Sequence, residues 1–345
     1  MTPNVPLATG PSAGTPTTPT RVAVAGATGY AGQELVRLLA RHPSVALTDA
    51  MSSGAASGPR PLPALRGIWD GTVVPLDLER LTENADIVFL ALPEAAAAEA
   101  GTALLERGTR VIDLSGAFRL RDDAGRQRWY PATGALPSGV VYGLPERHAD
   151  AIRDARLVSC PGCNPTAALL GLGPLAESGL LEGTVVIDAK SGISGAGKAP
   201  TDRTHFCENH GSVAAYGVFA HRHTAEIEQE LGTPVTFVPH LVPLDRGLLE
   251  TIYGSLRPGT TEAQVGEALQ RAYAAAPLVR LTGIELPEIK HVAYTSFCDI
   301  GWRVDEPTGR VVIVSAIDNL LKGAASQAVQ NLNILLGLDQ RTGLL

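Results

Sequence analysis

The segment RVAVAGATGYAGQELVRLL at 21–39 constrains this chain more than any other stretch. Its opening, RVAVAG, is a short apolar run ending in glycine, the pattern of a strand buried in a parallel sheet. YAGQELVRLLARHP then places Leu35, Leu38 and Leu39 at helical spacing and stops at Pro43, which predicts a helix. Between the two lie Gly26, Thr28, Gly29, Tyr30 and Gly32. Glycines here allow a tight turn and close backbone approach to a pyrophosphate. The helix start behind them offers free N–H groups and a positive dipole end. The spacing is G-x-x-G-x-x-G, not the commoner G-x-G-x-x-G, and a plain tight turn can carry the same glycines. Its place between a strand and a helix is what points to a dinucleotide.

The alternation continues. VALTDAM (45–51), ADIVFLALP (85–93) and TRVIDLSG (109–116) read as strands, and EAAAAEAGTALLERG (94–108) as a helix closed by Gly108. This predicts an α/β fold, a Rossmann-type doubly wound parallel sheet. After about Pro145 the pattern changes. GTVVIDAKSG, PVTFVPHLV, GLLETIYGSL, AYTSFCDIGWRV and RVVIVSAID read as longer strands with fewer helices between them. They predict a second, α+β domain with a mixed sheet. LKGAASQAVQNLNILLGL at 321–338 reads as a long closing helix that returns to the first domain. The expected division is a disordered tail at 1–20, a cofactor domain at 21–160 completed by 319–345, and a catalytic and oligomerisation domain at 161–318. The tail is rich in Pro, Thr and Gly and uncharged, and lacks the basic and apolar regions of a signal peptide.

The 345 residues suit two cores. The net charge of −7, with no basic run, argues against nucleic acid. No apolar run reaches the roughly 18 residues of a membrane span. Four cysteines make no disulfide framework in so long a chain and fit a reducing cytoplasm.

One cysteine stands apart. In VSCPGCNPTAALLGLGP (158–174), Cys163 falls at the start of an apolar helix with Pro165 in its first turn. A helix N-terminus favours a thiolate, and nearby N–H groups can stabilise an oxyanion on a bound acyl group. The Pro-Gly before it and Asn-Pro after it form a rigid elbow rather than a core segment. Cys160, Cys207 and Cys298 lack that setting and read as structural thiols. His221-Arg222-His223 precedes TAEIEQELG, a helix that Thr224 is placed to cap. Either imidazole can move a proton at the thiol. Two histidines and a cysteine also suit zinc, but no second ligand pair stands out, so no metal is expected. Tyr216 is close enough in sequence to line the same site. Lys190, Ser191, Gly192 and Arg246 are candidates for an anion of substrate or cofactor. Asp49 lies where a ribose-binding acid would indicate NAD. The strand runs past it, however, so Ser52 or Ser53 ends the strand, where a hydroxyl can hold a 2′-phosphate, with Arg60 and Arg66 nearby. Solvated loop serines would look the same; the balance favours NADP.

Together, VSCPGCNPTAALLGLGP, GATGYAGQELVRLL, VIDLSGAFRL, VYGLPE, KSGISGAGK, AHRHTAEIEQEL, FVPHLVPLDRGLLETIY and AIDNLLKGAASQAVQNLN resemble the N-acetyl-gamma-glutamyl-phosphate reductases of arginine biosynthesis, from about Arg21 to Leu338. The fold resembles that of the aspartate-semialdehyde dehydrogenases. The resemblance implies NADP as cofactor and an acyl-thioester on Cys163. It implies a histidine from 221–223 beside the thiol and Asn319 near the nicotinamide, with Asn164 and Tyr216 toward the substrate. It also implies a homo-oligomer, dimer or tetramer. A sister reductase of carrier-bound aminoadipyl phosphate, in lysine biosynthesis, is the alternative. That group carries Gly-Cys-Asn-Ala-Thr where this chain has Pro165 after Asn164.

Overall fold

The structure is a computed structural model that describes residues 18–53 and 58–345. Most of the expected tail lies outside these residues, and Thr20 already belongs to the first strand. Seven strands build the first sheet: β1 (Thr20–Ala25), β2 (Val45–Ser52), β3 (Val73–Pro75), β4 (Ile87–Leu90), β5 (Arg110–Asp113), β6 (Val140–Tyr142) and β7 (Leu157–Ser159). Their order is β3-β2-β1-β4-β5-β7-β6, and every pair is parallel. Val22–Ala25 and Ile87–Leu90 are wholly buried, as strands covered on both faces must be. The order reverses between β1 and β4, and at that switch point the carboxyl ends of a doubly wound sheet leave a crevice.

The second sheet is mixed. It contains β8 (Leu181–Gly192), β9 (Ala214–Ala215), β10 (Val235–Val242), β11 (Leu248–Leu256), β12 (Val279–Gly283), β13 (Cys298–Asp305) and β14 (Arg310–Ile317), in the order β12-β13-β14-β11-β8-β10-β9. Pairs β8–β10 and β12–β13 are parallel and the rest antiparallel. Burial alternates along β10, so one face of the sheet meets a core and the other does not. The helix Cys163–Glu177 fills that core. It is apolar all round, with every residue from Asn164 to Leu175 buried. Gly171 gives Ile252 and Ile313 room against it. Because this helix starts four residues after β7, its first residue sits at the seam between the sheets.

The sequence did not reveal β3, β6, β7, β9 or β12: strands of two to five residues carry too little periodicity to read, and only the apolar runs around β4 and β5 made strands that short legible. The closing helix also differs from expectation. It begins as a π-turn, Leu321–Ala325, and continues as the α-helix Ser326–Leu335. Ala328, Val329 and Leu332 share one core with Val22, Leu35 and Phe89 of the first sheet's layer.

Candidate active site

The glycine loop is built by two contacts. Gly26 has φ +95°, and a Cβ there would fall 2.2 Å from the Ala91 carbonyl oxygen on the neighbouring strand's extension. A Cβ on Gly32 would fall 2.1 Å from the Gly26 oxygen. These two glycines hold turn, strand and helix together. Gly29 instead caps the helix Tyr30–Leu39, and a Cβ there would meet nothing closer than 3.6 Å. Gly29, Tyr30 and Gly32 line a cleft of about 290 Å³ that also contains Cys163, His223 and Asn319. The first-turn N–H groups of that helix have no intrahelical partner. A glycine-walled helix start is a cradle for a pyrophosphate, so these residues fit a nicotinamide dinucleotide. Gly26 lies behind the cradle. The Thr28 carbonyl accepts from Gln33 Nε2 and from Lys198 Nζ at 3.3 Å, so a loop of the second sheet's layer reaches across to the glycine loop.

Cys163 is the first residue of its helix and half-buried, with Gly162 as cap. Gly162 donates its N–H to Glu226 Oε1 at 2.9 Å. Glu226, fully buried on the helix Arg222–Leu231, also accepts from the Tyr142 hydroxyl at 2.8 Å and pairs with Arg119. Arg119 donates to the Cys160 and Leu114 carbonyls and lines the cleft. Glu226 therefore ties the histidine helix to the cysteine elbow. Burial pushes the Cys163 thiol up to about 11, while Arg119 and the Asn164 N–H pull it down. This corrects the sequence expectation of a thiolate at rest: the helix start is present, but desolvation outweighs it.

The two histidines separate. His223 lines the cleft, and its Nε2 lies where a Cβ on Gly162 would come within 2.4 Å. His221 stands behind it as the helix cap, its Nδ1 accepting from the His223 N–H at 3.1 Å. Thr224, expected to cap, falls inside the helix instead. Burial lowers the His223 imidazole well below its usual range, helped by His221, Arg119 and Arg222. Burial and Arg222 lower His221 to about 4. Both rings rest neutral near pH 7. Asn164 Nδ2 bridges His223 to the nucleophile, 3.0 Å from His223 Nδ1 and 3.9 Å from Cys163 Sγ. Its Oδ1 has no partner among the described residues.

Other sequence candidates lie elsewhere. Ser191 and Gly192 sit within β8, Gly192 packed against the backbone of Leu244 and Arg246. Ser194 and Gly195, further along the same loop, face the cleft. Asn319 does line it, held by the Gly247 N–H at 2.7 Å and donating to Ser194 Oγ at 2.9 Å. Lys190 pairs with Asp188 at 2.8 Å, outside the cleft. Arg246 is engaged by Glu34 at 2.7 Å and Asp318 at 3.3 Å and stacks on Tyr294; it joins the layers and lines an adjoining cavity that shares Tyr30, Ser194 and Lys198 with the cleft, though not the wall beside Cys163. Asp49 is taken by Arg80 and Asn84. Ser52 ends β2 and Ser53 follows it, as read from sequence, but neither lines the cleft with Cys163. Arg60 bridges Val73 by backbone pairing, and Arg66 ends a short 3-10 turn. Among the described residues no group of three or more His, Cys, Asp or Glu side chains is placed to hold a metal ion. No helix among them is long and apolar enough to cross a membrane.

Sequence reasoning missed Arg119, Glu226, Ser194 and Gly323. A Cβ on Gly323, in the π-turn, would lie 2.7 Å from Cys163 Cβ, so this glycine lets the closing segment pass directly over the nucleophile. A glutamate three residues after His223 was the available signal for Glu226; Arg119 gave none beyond its place in GAFR.

Two family models match the chain. Residues 21–155 match the semialdehyde dehydrogenase NAD binding domain, and residues 163–319 match the semialdehyde dehydrogenase dimerisation domain. The fold agrees with an aspartate semialdehyde dehydrogenase II from Vibrio cholerae, at TM-score 0.72 and 19% identity over 93% of this chain and 99% of that one. It agrees as well with the Candida albicans aspartate semialdehyde dehydrogenase solved with NADP, at TM-score 0.69 and 17% identity over 92% and 99%. The chain thus has the architecture of the semialdehyde dehydrogenase class. N-acetyl-gamma-glutamyl-phosphate reductases from Pelotomaculum thermopropionicum and Desulforudis audaxviator are 45% and 46% identical to it, each over 94% of this chain and 97% of the relative. The one from Geobacter sulfurreducens is 46% identical over the same shares. Within that class the chain belongs to the N-acetyl-gamma-glutamyl-phosphate reductase family.

Proposed function

We propose that this chain reduces N-acetyl-gamma-glutamyl phosphate to N-acetylglutamate 5-semialdehyde and phosphate, with NADPH as donor, through an acyl-thioester on Cys163. One observation carries the reading: Cys163, His223 and the glycine cradle share one cleft. A dinucleotide held by its pyrophosphate in that cradle would supply, from its nicotinamide, the hydride that the acyl carbon takes up.

The remaining chemistry falls to the chain. The Cys163 thiol passes its proton toward His223, and its sulfur attacks the acyl carbon, expelling phosphate. Arg119 and Arg222 line the cleft and offer positive charge to the leaving phosphate. Asn164 governs which ring nitrogen of His223 works. With Nδ2 donating to Nδ1, the proton of the neutral ring sits on Nε2. With the amide turned, Oδ1 accepts from Nδ1–H and leaves Nε2 bare as a base. After reduction, His223 returns a proton as the hemithioacetal collapses to aldehyde and free thiol. Asn319 and Ser194 hold each other beside Gly195 on the wall of the cleft, and would be the residues to hold the nicotinamide, as the resemblance implies for Asn319.

The preference for NADP is supported by β2 running past Asp49, whose carboxylate is occupied, to Ser52 and Ser53. We read residues 21–160, with 319–345, and 161–318 as the two domains. The chain works as a cytoplasmic homo-oligomer in this reading, supported by the partly exposed apolar residues Val186, Val238 and Tyr253 on the uncovered face of the second sheet. A phosphate-dependent assay with N-acetylglutamate semialdehyde and each cofactor tests the proposal. NADP reduction that needs phosphate, and is lost in Cys163→Ser, supports it; reduction that persists in Cys163→Ser sinks it.

A further inference from the structure

Just after Asn319 the chain crosses Cys163 as the π-turn Leu321–Ala325, and the backbone at Gly323 rests on the nucleophile. Glycine has no side chain with which to hold this place, so its neighbours must hold it. Asp318 pins the near end: its Oδ1 accepts from the Leu320 and Leu321 N–H groups at 2.8 and 3.0 Å. The residue next to Gly323 is Lys322, and it is held through both its side chain and its backbone.

Of the four lysines only Lys322 is buried, and its side chain is wholly shielded from solvent. Its Nζ donates to Glu146 Oε1 at 2.6 Å and to Gln330 Oε1 at 2.7 Å, and Gln330 Nε2 donates to the same Glu146 oxygen at 3.0 Å. Glu146 lies in the first turn of the helix Pro145–Arg153, and its side chain is equally shielded. The Lys322 carbonyl accepts from Gln327 Nε2 at 3.2 Å. That amide also donates to Thr166 Oγ1 at 3.1 Å, and the Thr166 hydroxyl donates to the Gly162 carbonyl at 2.9 Å. A line of hydrogen bonds thus runs from Lys322 back to the cap of the cysteine helix.

A wholly buried ion pair is a poor way to gain stability. Desolvation of both charges cancels much of their attraction, and apolar side chains of the same volume often serve as well. What the pair does supply is direction. An ammonium that must meet Glu146 and Gln330 together has one place to be, whereas a flexible apolar chain such as methionine has several. Lys322 itself does not line the cleft, so it acts only through its neighbour. We propose that Lys322 is a positioning residue for the Cys163 chemistry, its pair with Glu146 holding Gly323 down on the nucleophile. This rests on the reaction proposed above. Held there, Gly323 keeps water off the sulfur and keeps the sulfur in line with the acyl carbon. Burial is what raises the Cys163 thiol, so a loosened turn frees the thiol to ionise while its aim is lost.

The test removes both charges, since Lys322→Met alone strands the Glu146 carboxylate in the core. In a Cys207→Ser background, Lys322→Met combined with Glu146→Gln is expected to speed iodoacetamide labelling of Cys163 at pH 8 roughly tenfold, as water reaches the thiol. The same protein is expected to lose roughly tenfold in kcat through misplacement of the sulfur, with KM for the cofactor little changed. A more reactive sulfur with slower turnover is not what a merely structural pair gives. Cys160 and Cys298, both buried, serve as the control under peptide mapping. Labelling that rises equally at all three cysteines reports unfolding and overturns the assignment. Unchanged labelling of Cys163 in the folded variant overturns it too, as does faster labelling with unchanged kcat. If the double variant yields no folded protein, Gln330→Met takes its place. It withdraws one acceptor from Lys322, keeps the ion pair, and is expected to speed labelling of Cys163 about two- to tenfold; no change there overturns the proposal. Labelling needs no turnover. If the wild type fails to reduce NADP with semialdehyde and phosphate, the reaction reading falls, and the labelling of Cys163 still decides the role of Lys322.

Discussion

At Cys163 two effects compete, and the structure decides between them. A helix start favours thiolate, while burial beside apolar packing opposes it, and the thiol ends up at about 11. The neutral form therefore dominates at pH 7, and the histidine must take the proton during attack. In a Cys207→Ser background, where the exposed competing thiol is gone, iodoacetamide modification of Cys163 should rise about tenfold per pH unit from 7 to 10. A plateau by pH 8 would show that the helix start wins. For the histidines, His223→Ala should lose about 10²- to 10⁴-fold in kcat. His221→Asn, which keeps a side chain able to cap the helix, should lose far less. Equal losses from the two would contradict the assignment of the proton to His223. The residue types and the helix start were legible in the sequence because they are local: CNP fixes an elbow whatever surrounds it. The balance of the thiol was not, because burial is set by Arg119, Gly323 and Glu226, which lie far along the chain from Cys163. Tertiary packing also hid His223's distinction from His221, two residues apart, one the helix cap and the other inside the helix on the cleft.

Among the elements, the π-turn at Leu321–Ala325 matters most. A wider turn in an otherwise α-helical run often marks a functional site, and here it carries Gly323 against Cys163. Gly323→Ala must displace either the turn or the nucleophile. We expect it to cut kcat by roughly tenfold or more, at the few kcal/mol that overpacking costs, with KM for the cofactor little changed. Unchanged kcat would mean that the contact is slack. Alternating periodicity and helix spacing made the larger elements legible, including the glycine-loop helix and the five long strands of the second sheet. The π-turn was not, since LKGAASQAVQNLN scans as uninterrupted helix and only packing against the cysteine widens its first turn.

For the whole molecule, two buried electrostatic features govern stability. Arg246 joins the layers through Glu34 and Asp318, with its side chain 10% exposed. In a double-mutant cycle, Glu34→Ala and Arg246→Ala should show a coupling of about 0.5–3 kcal/mol in urea unfolding, as expected of groups in direct contact; strict additivity would deny the joint. Glu250 is fully buried on β11, with neither oxygen partnered among the described residues, and burial raises its carboxyl well above the usual range against the pull of Lys190. Between its unfolded and folded values the native state holds one proton more than the unfolded state. Stability attributable to this group therefore falls as pH rises, by about 1.4 kcal/mol per unit. Glu250→Gln should lack that component, so its advantage over wild type should widen from pH 5 to pH 8; parallel stability curves would refute it. The doubly wound first layer and the mixed second layer were legible from the order of their strands. Which loops face the seam was not, and this is why Ser191 was read toward the site while Ser194 and Arg119 line the cleft.

The thioester on Cys163 is the claim on which the rest depends. It is tested most directly by mixing the chain with N-acetylglutamate semialdehyde and NADP in the absence of phosphate, then acid-quenching for intact-mass and peptide analysis. The account predicts one equivalent of NADPH per chain in a rapid burst, with one N-acetylglutamyl group on the Cys163 peptide that phosphate releases. A burst without an adduct on that peptide, or steady turnover in a phosphate-free Cys163→Ser protein, would contradict it.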